Sequence, residues 1–186
     1  MRLLELLDSA VVRARATVAA RHPDLPPDEL ERRAAEIGIG AVKFADLSTG
    51  RTRDYVFDLD RMLSLTGDTG VYLQYAHARA RSILRRLPVD TGPVTDGPLE
   101  PAERRLALQL DGYGAAVAAA AGSLEPHRLA TYLLALARTF SDFFEACPVL
   151  RAADDVRGRR ALLCRLTGDT LAAGLGLLGI AAPDQL

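Results

Sequence analysis

Apolar residues recur along most of this chain at steps of three and four, the period of a helix with one buried face. Leu3, Leu7, Ala10, Ala14 and Val18 make a first stripe. Pro26 and Pro27 open a second helix with Leu30, Ala34, Ile37, Ala41 and Phe44 on one face. Asp28 and Glu29 suit its first turn, where the helix dipole is positive. From Leu47 to Asp60 the period is lost, and RTRDYVFD reads as a short extended piece without a hairpin partner. From Asp68 to about Arg86 the period returns on Leu73, Ala76, Ala80, Ile83 and Leu87. The segment LPVDTGPVTDGP, residues 87–98, is a linker by composition. A further helix carries Leu99, Leu106, Leu110, Tyr113, Val117 and Ala120. After a turn at Gly122-Ser123 comes one with Leu129, Tyr132, Leu133, Leu136, Phe140, Phe143 and Cys147, ended by Pro148. The last shows Leu163, Leu166, Thr170, Gly174, Leu177 and Leu178, with Gly179 placed to cap it and Pro183 beyond. Two helices before residue 67 and four after it, with no strand alternation, predict an all-α bundle with short loops.

Composition narrows the chemistry. At 186 residues, half of them apolar, the chain can bury a core without metal or disulfide staples. Cys147 and Cys164 have no Cys or His at ligand spacing and read as buried thiols of a reducing compartment. His22, His77 and His127 lie far apart, with no metal spacing, so neither a metal nor a cofactor is expected. Gly174, Gly176 and Gly179 spell G-x-G-x-x-G, but a dinucleotide loop needs a strand before it and a helix after it, and here the glycines end a helix. The most apolar run, LAAGLGLLGIAAP, is too short to span a bilayer, and the start lacks a continuous apolar leader; a cytoplasmic protein without a membrane partner is expected.

A net charge of −1 excludes a uniformly basic nucleic-acid binder but not a local patch. Lys43 is the only lysine, so almost every cation is a planar guanidinium able to fork onto phosphate or stack on a base. In YLQYAHARARSILRR, the residues Tyr72, Tyr75, Arg79 and Arg86 fall on one helix stripe, with Arg81 and Arg85 on the next. Aromatic and arginine side chains on one face can stack unpaired bases and hold phosphates. Tyrosines at a core edge beside a solvated arginine face give the same pattern, and the residues alone leave both readings open.

The same stretch carries a resemblance. GIGAVKFADLS followed by RTRDYVFDLDRMLSLTGDTGVYLQYAHARARSIL is similar to the segment of arginyl-tRNA synthetases that joins the catalytic domain to the anticodon-binding bundle. EPHRLATYLLALARTFSDFFEACPVL and ALLCRLTGDTLAAGLGLLGIAAPDQL resemble later parts of that family in the same order, so the likeness covers nearly the whole chain. RLLELLDSAVVRARA resembles the segment a few residues beyond the family's KMSKS-like loop.

The resemblance implies a class Ia synthetase helical bundle: residues 1–66 a helical junction that contacts the tRNA stem, residues 67–186 a DALR-type anticodon-binding domain. It implies tRNA, in particular tRNA(Arg), as partner. The anticodon-side residues would be Tyr72, Tyr75, Arg79, Arg85, Phe144 and Leu186. Family members commonly carry tyrosine where Phe144 stands and methionine where Leu186 stands, so stacking is expected to survive better than base-specific hydrogen bonding. Neither a HIGH-like nor a KMSKS-like signature occurs, so the chain is not expected to aminoacylate alone. A tRNA-binding module is the leading expectation. The alternatives are a protein-interaction or regulatory module acting with a catalytic synthetase or another protein in trans, the non-catalytic half of a split arginine–tRNA ligase, and a remnant without function.

Overall fold

In the computed structural model, which describes residues 3–88, 92, 94 and 96–186, the chain forms eight helices and the described residues form no strand. α1 (Leu3–Arg21) and α2 (Pro27–Leu47) pack as an antiparallel pair. Their contact is made of small side chains: Ala10, Ala14, Ala34 and Ala41 are all at or below 1% exposure, and Gly38 lies directly on the α1 backbone. The stripe read from sequence therefore holds from Ala10 onward, while Leu3 is 67% exposed.

The irregular stretch after α2 contains no strand but does hold a single helical turn, α3 (Leu59–Met62), started by Asp58, whose carboxylate accepts from the Arg61 amide at 3.1 Å. Residues 64–69 then set up α4 (Gly70–Arg86). Thr69 is its N-cap: its hydroxyl accepts from the Tyr72 amide (3.0 Å) and donates to the Ser64 carbonyl (2.7 Å). Gly70 has no room for a side chain, since a Cβ would sit 2.7 Å from that of Phe44. α4 stands at the centre, against α2, α7 (Pro126–Ala146) and α8 (Asp154–Leu177). The linker expected over residues 87–98 lies in part outside the described residues, namely at Val89, Asp90, Thr91, Pro93 and Thr95.

Two expectations need correction. The helix expected to run from Leu99 through Ala120 is two, α5 (Pro101–Asp111) and α6 (Tyr113–Ser123), so five helices rather than four follow residue 67 among the described residues. The break falls at Gly112, a poor helix former, where the Tyr132 hydroxyl takes the Gln109 carbonyl at 2.7 Å. α6 has no buried residue; its expected face, Tyr113, Val117 and Ala120, only rims the core. On α8, the expected Leu163 and Gly174 are buried, as is Leu178 just beyond it, but Leu166 and Leu177 are 42% and 62% exposed; Ala161, Cys164, Thr167, Gly168, Leu171 and Leu175 complete the buried face. Much of that face is small or polar, so the apolar template mixed buried positions with exposed leucines.

The α8 terminus follows the sequence reading. Gly179 adopts φ +67°, the Ile180 amide reaches back to the Leu175 carbonyl and the Gly179 amide to that of Gly176, both at 2.9 Å. This is a Schellman ending with its apolar contact. It turns residues 180–186 back across α4 and α2. There the buried Gln74 donates to the carbonyls of Ala181 (2.9 Å) and Glu36 (3.1 Å), and Arg33 donates to Gln185 (3.2 Å). His77, 1% exposed, sits between the Gly168 carbonyl (3.0 Å) and the Asp184 carboxylate (3.2 Å), which gives it a structural role.

The buried residues form two clusters. The larger joins α4, α5, α7 and α8 around Leu73, Leu106, Leu133, Leu136, Phe140, Phe143 and Leu171, with Phe44 reaching in from α2. The smaller lies around Ala14, Val18, Ile37, Ala41, Met62 and Val71. Both thiols are buried, and burial pushes Cys164 up to about 12, so it is inert at neutral pH. One charge sits deep in the larger bundle: Glu103 on α5, with no exposed surface, accepts from Arg160 (2.6 Å), Arg159 (3.4 Å) and the Glu100 amide (2.9 Å). Burial by itself would raise its pKa. The hydrogen bonds from Arg160 and the Glu100 amide, with both arginine charges nearby, hold it below the usual carboxyl range.

Candidate nucleic-acid interface

α4 and α7 run side by side, and the residues between their C-terminal halves form the best candidate surface. The Thr69 cap sets the phase of α4, and an ion pair from Arg138 on α7 to Asp68 ties that start to its neighbour. One turn on, the Tyr72 and Ser141 hydroxyls lie 3.3 Å apart. Ser141 already donates to the Ala137 carbonyl (3.1 Å), so Tyr72 is the donor of the pair. Tyr75 on the same stripe is 39% exposed, a large aromatic face open to solvent. Two turns beyond Tyr72, the Arg79 guanidinium carbon lies 3.7 Å from the centroid of the Phe144 ring. That contact is worth on the order of 1 kcal/mol and holds the guanidinium over the ring.

Beyond this pair the two helices end and a cavity of about 350 Å³ opens. Ile83, Val149 and Phe144 supply apolar lining, and Arg79, Arg86 and Arg151 line it with no carboxylate. A chain with a net charge of −1 thus concentrates cations at one place. None of these three arginines makes a hydrogen bond to, or an ion pair with, another described residue. By contrast, Arg13, Arg32, Arg33, Arg81, Arg128, Arg138, Arg157 and Arg160 are all paired with carboxylates.

Of the six residues expected at the site, four share this surface: Tyr72, Tyr75, Arg79 and Phe144. Arg85 lies on the adjoining stripe and donates to the Asp184 carbonyl at 3.2 Å, so it holds the C-terminal segment. Leu186 is elsewhere: it packs on the α1–α2 cluster, with its carbonyl oxygen 2.9 Å from His22 Nε2. Arg151 and Leu150 were missed because they lie in the turn after Pro148, where no periodicity assigns a face. Arg86 falls on the Tyr72 stripe, and only the folded turn brings Arg151 to the same cavity.

Residues 73–186 match the DALR anticodon binding domain, and residues 1–59 match the catalytic domain of tRNA synthetases class I (R). Arginine–tRNA ligase from Frankia casuarinae is 57% identical over the whole of this chain, which covers 32% of that protein. The enzyme from Thermobifida fusca is 54% identical, again over the whole chain and 33% of its own length. Among solved structures, Thermus thermophilus arginyl-tRNA synthetase superposes with a TM-score of 0.91 at 39% identity, over the whole of this chain and 32% of that one. Plasmodium falciparum arginyl-tRNA synthetase gives 0.86 at 26% identity, over the whole of this chain and 34% of that one. The chain spans about a third of the length of the curated relatives it matches.

Proposed function

We propose, from the premise that the chain belongs to the arginyl-tRNA synthetase family and carries its DALR anticodon-binding domain, that it is a tRNA-binding module which takes the anticodon loop of tRNA(Arg) on the α4–α7 face. The observation that carries this reading is the Arg79–Phe144 stack beside an arginine-lined, carboxylate-free cavity. Single-stranded loops are held by stacking on such planes and by guanidinium contacts to phosphate. Tyr72 and Tyr75 extend the stacking surface along α4. In this reading residues 1–66 form a helical junction against the stem, and residues 67–186 the anticodon domain.

Charging the tRNA with arginine is assigned to the part of the catalytic domain that lies outside these residues, supplied in the same chain or in trans. The 186 residues contain neither the HIGH-like nor the KMSKS-like string that adenylate formation needs. The setting is the cytoplasm, where tRNA is charged; no helix among the described residues is long and apolar enough to cross a membrane.

Substituting Arg79→Ala tests the site. It removes one face of the stack and one cation, and tRNA(Arg) affinity is expected to fall about tenfold. Phe144→Tyr, which keeps the ring, should bind at least as well as the parent. Fluorescence anisotropy with labelled tRNA measures both. An Arg79→Ala protein that binds as tightly as the parent would remove the α4–α7 face from the account.

A further inference from the structure

We propose that Arg86 and Arg151 form a phosphate grip that holds the backbone of an RNA strand at the mouth of the α4–α7 cleft. The proposal rests on the tRNA-binding reading above and adds to it two residues outside the aromatic and arginine stripe expected of the site.

Arg86 ends α4, and Arg151 belongs to the turn between α7 and α8; both line the cavity that Arg79 and Phe144 also line. Both side chains are exposed, and neither makes an ion pair or hydrogen bond with a described residue. The local backbone does not need them. The Pro148 carbonyl takes Arg160 at 2.8 Å, the Ala152 carbonyl takes Arg157 at 2.7 Å, and the last turn of α4 closes through the Leu87 amide on the Leu84 carbonyl at 3.2 Å. The neighbouring arginine tips therefore complete the turn and leave Arg151 over the cavity.

The apolar lining strengthens what the two cations can do. Ile83 and Val149 are each 5% exposed and lie beneath the opening. A phosphate held above them is less screened than one on an open surface. Two guanidinium forks lining one cavity from separate elements suit the tetrahedral oxygens of a phosphodiester. The occupant is an RNA strand because a planar site for a base, Arg79 on Phe144, lies beside the anion site. A free anion would have no use for the stack.

The test compares the R86Q/R151Q double variant with the parent by tRNA(Arg) anisotropy across a salt series. Each single-stranded phosphate contact contributes about 0.7 to the slope of log K against log salt. The double variant should therefore lose about 1.4 from that slope. Cognate and non-cognate tRNA should weaken alike, since phosphate contacts carry no sequence information. R151Q alone should lose about half as much. R104Q/R105Q, the same charge change on the exposed face of α5, should leave the slope unchanged. Parental binding with an unaltered slope in R86Q/R151Q overturns the grip and leaves the tRNA reading standing, as does an equal loss in R104Q/R105Q. Displacement of the RNA by inorganic phosphate at fixed ionic strength, abolished in R86Q/R151Q, would show a free-anion site instead and also overturn it. No tRNA binding by the parent would sink the underlying reading, and the grip with it.

Discussion

Glu103→Ala is expected to destabilise the protein by roughly 3–5 kcal/mol, the cost of removing one partner from a buried ion pair. Glu103 is fully buried, while Arg159 and Arg160 are each only 13% exposed at the side chain. Without the carboxylate, two poorly solvated guanidiniums of α8 lose this counter-charge at the α5–α8 contact, and the Glu100 amide at the start of α5 loses its acceptor. Glu103→Gln keeps the volume and one oxygen, so its loss should be smaller. The effect depends on pH in a defined direction. The folded-state pKa of Glu103 is depressed, so its contribution is fully present above the ordinary carboxyl value of 4.5 and is lost as pH falls through the lower folded value. Urea unfolding of parent and Glu103→Gln should show a stability gap that is constant near neutrality and closes under acid. A gap that widens under acid would reverse the assignment.

Gly38→Ala should also destabilise, by about 2 kcal/mol, although alanine is the better helix former. A Cβ at this position would lie 2.7 Å from the Val11 amide nitrogen and 2.8 Å from the Ala10 carbonyl carbon and oxygen. These are backbone atoms and cannot rotate aside, so α1 and α2 must separate. The gain in helix propensity, about 1 kcal/mol, offsets only part of an overpacking cost of up to about 3 kcal/mol. Gly114→Ala on α6 supplies the opposite sign. Nothing lies within 4 Å of its added carbon, so it should be neutral or stabilise by up to about 1 kcal/mol. The thermal midpoint should therefore fall for Gly38→Ala and hold or rise for Gly114→Ala. A stabilised Gly38→Ala protein would show that the α1–α2 contact is looser than described.

These cases show what could be read from the chain and why. The α2 stripe was legible because Leu30, Ala34, Ile37, Ala41 and Phe44 keep one period and the pair they enter is small and apolar. α8 is legible only in part, because Thr167 and Gly168 are core residues without apolar bulk, while Leu166 and Leu177 are bulky and exposed. The division at Gly112 depends on the Tyr132 hydroxyl, a contact across 23 residues that no local window contains. The site divides the same way. Tyr72, Tyr75 and Arg79 share a helix, so their common face follows from spacing. The meeting of Arg79 with Phe144, and the placing of Arg86 and Arg151 on one cavity, are products of tertiary packing between α4, α7 and the turn after it. The placement of Arg85 and Leu186 was hidden for a related reason: the Schellman turn at Gly179 sends the last residues toward α1 and α2, away from the cleft.

Equilibrium binding of labelled tRNA(Arg) and a non-cognate tRNA to the 186-residue chain, between about 50 and 200 mM salt, tests the central claim most directly. The account predicts tighter binding of tRNA(Arg), with affinity falling steeply as salt rises. Equal binding of both tRNAs, or none, would contradict it.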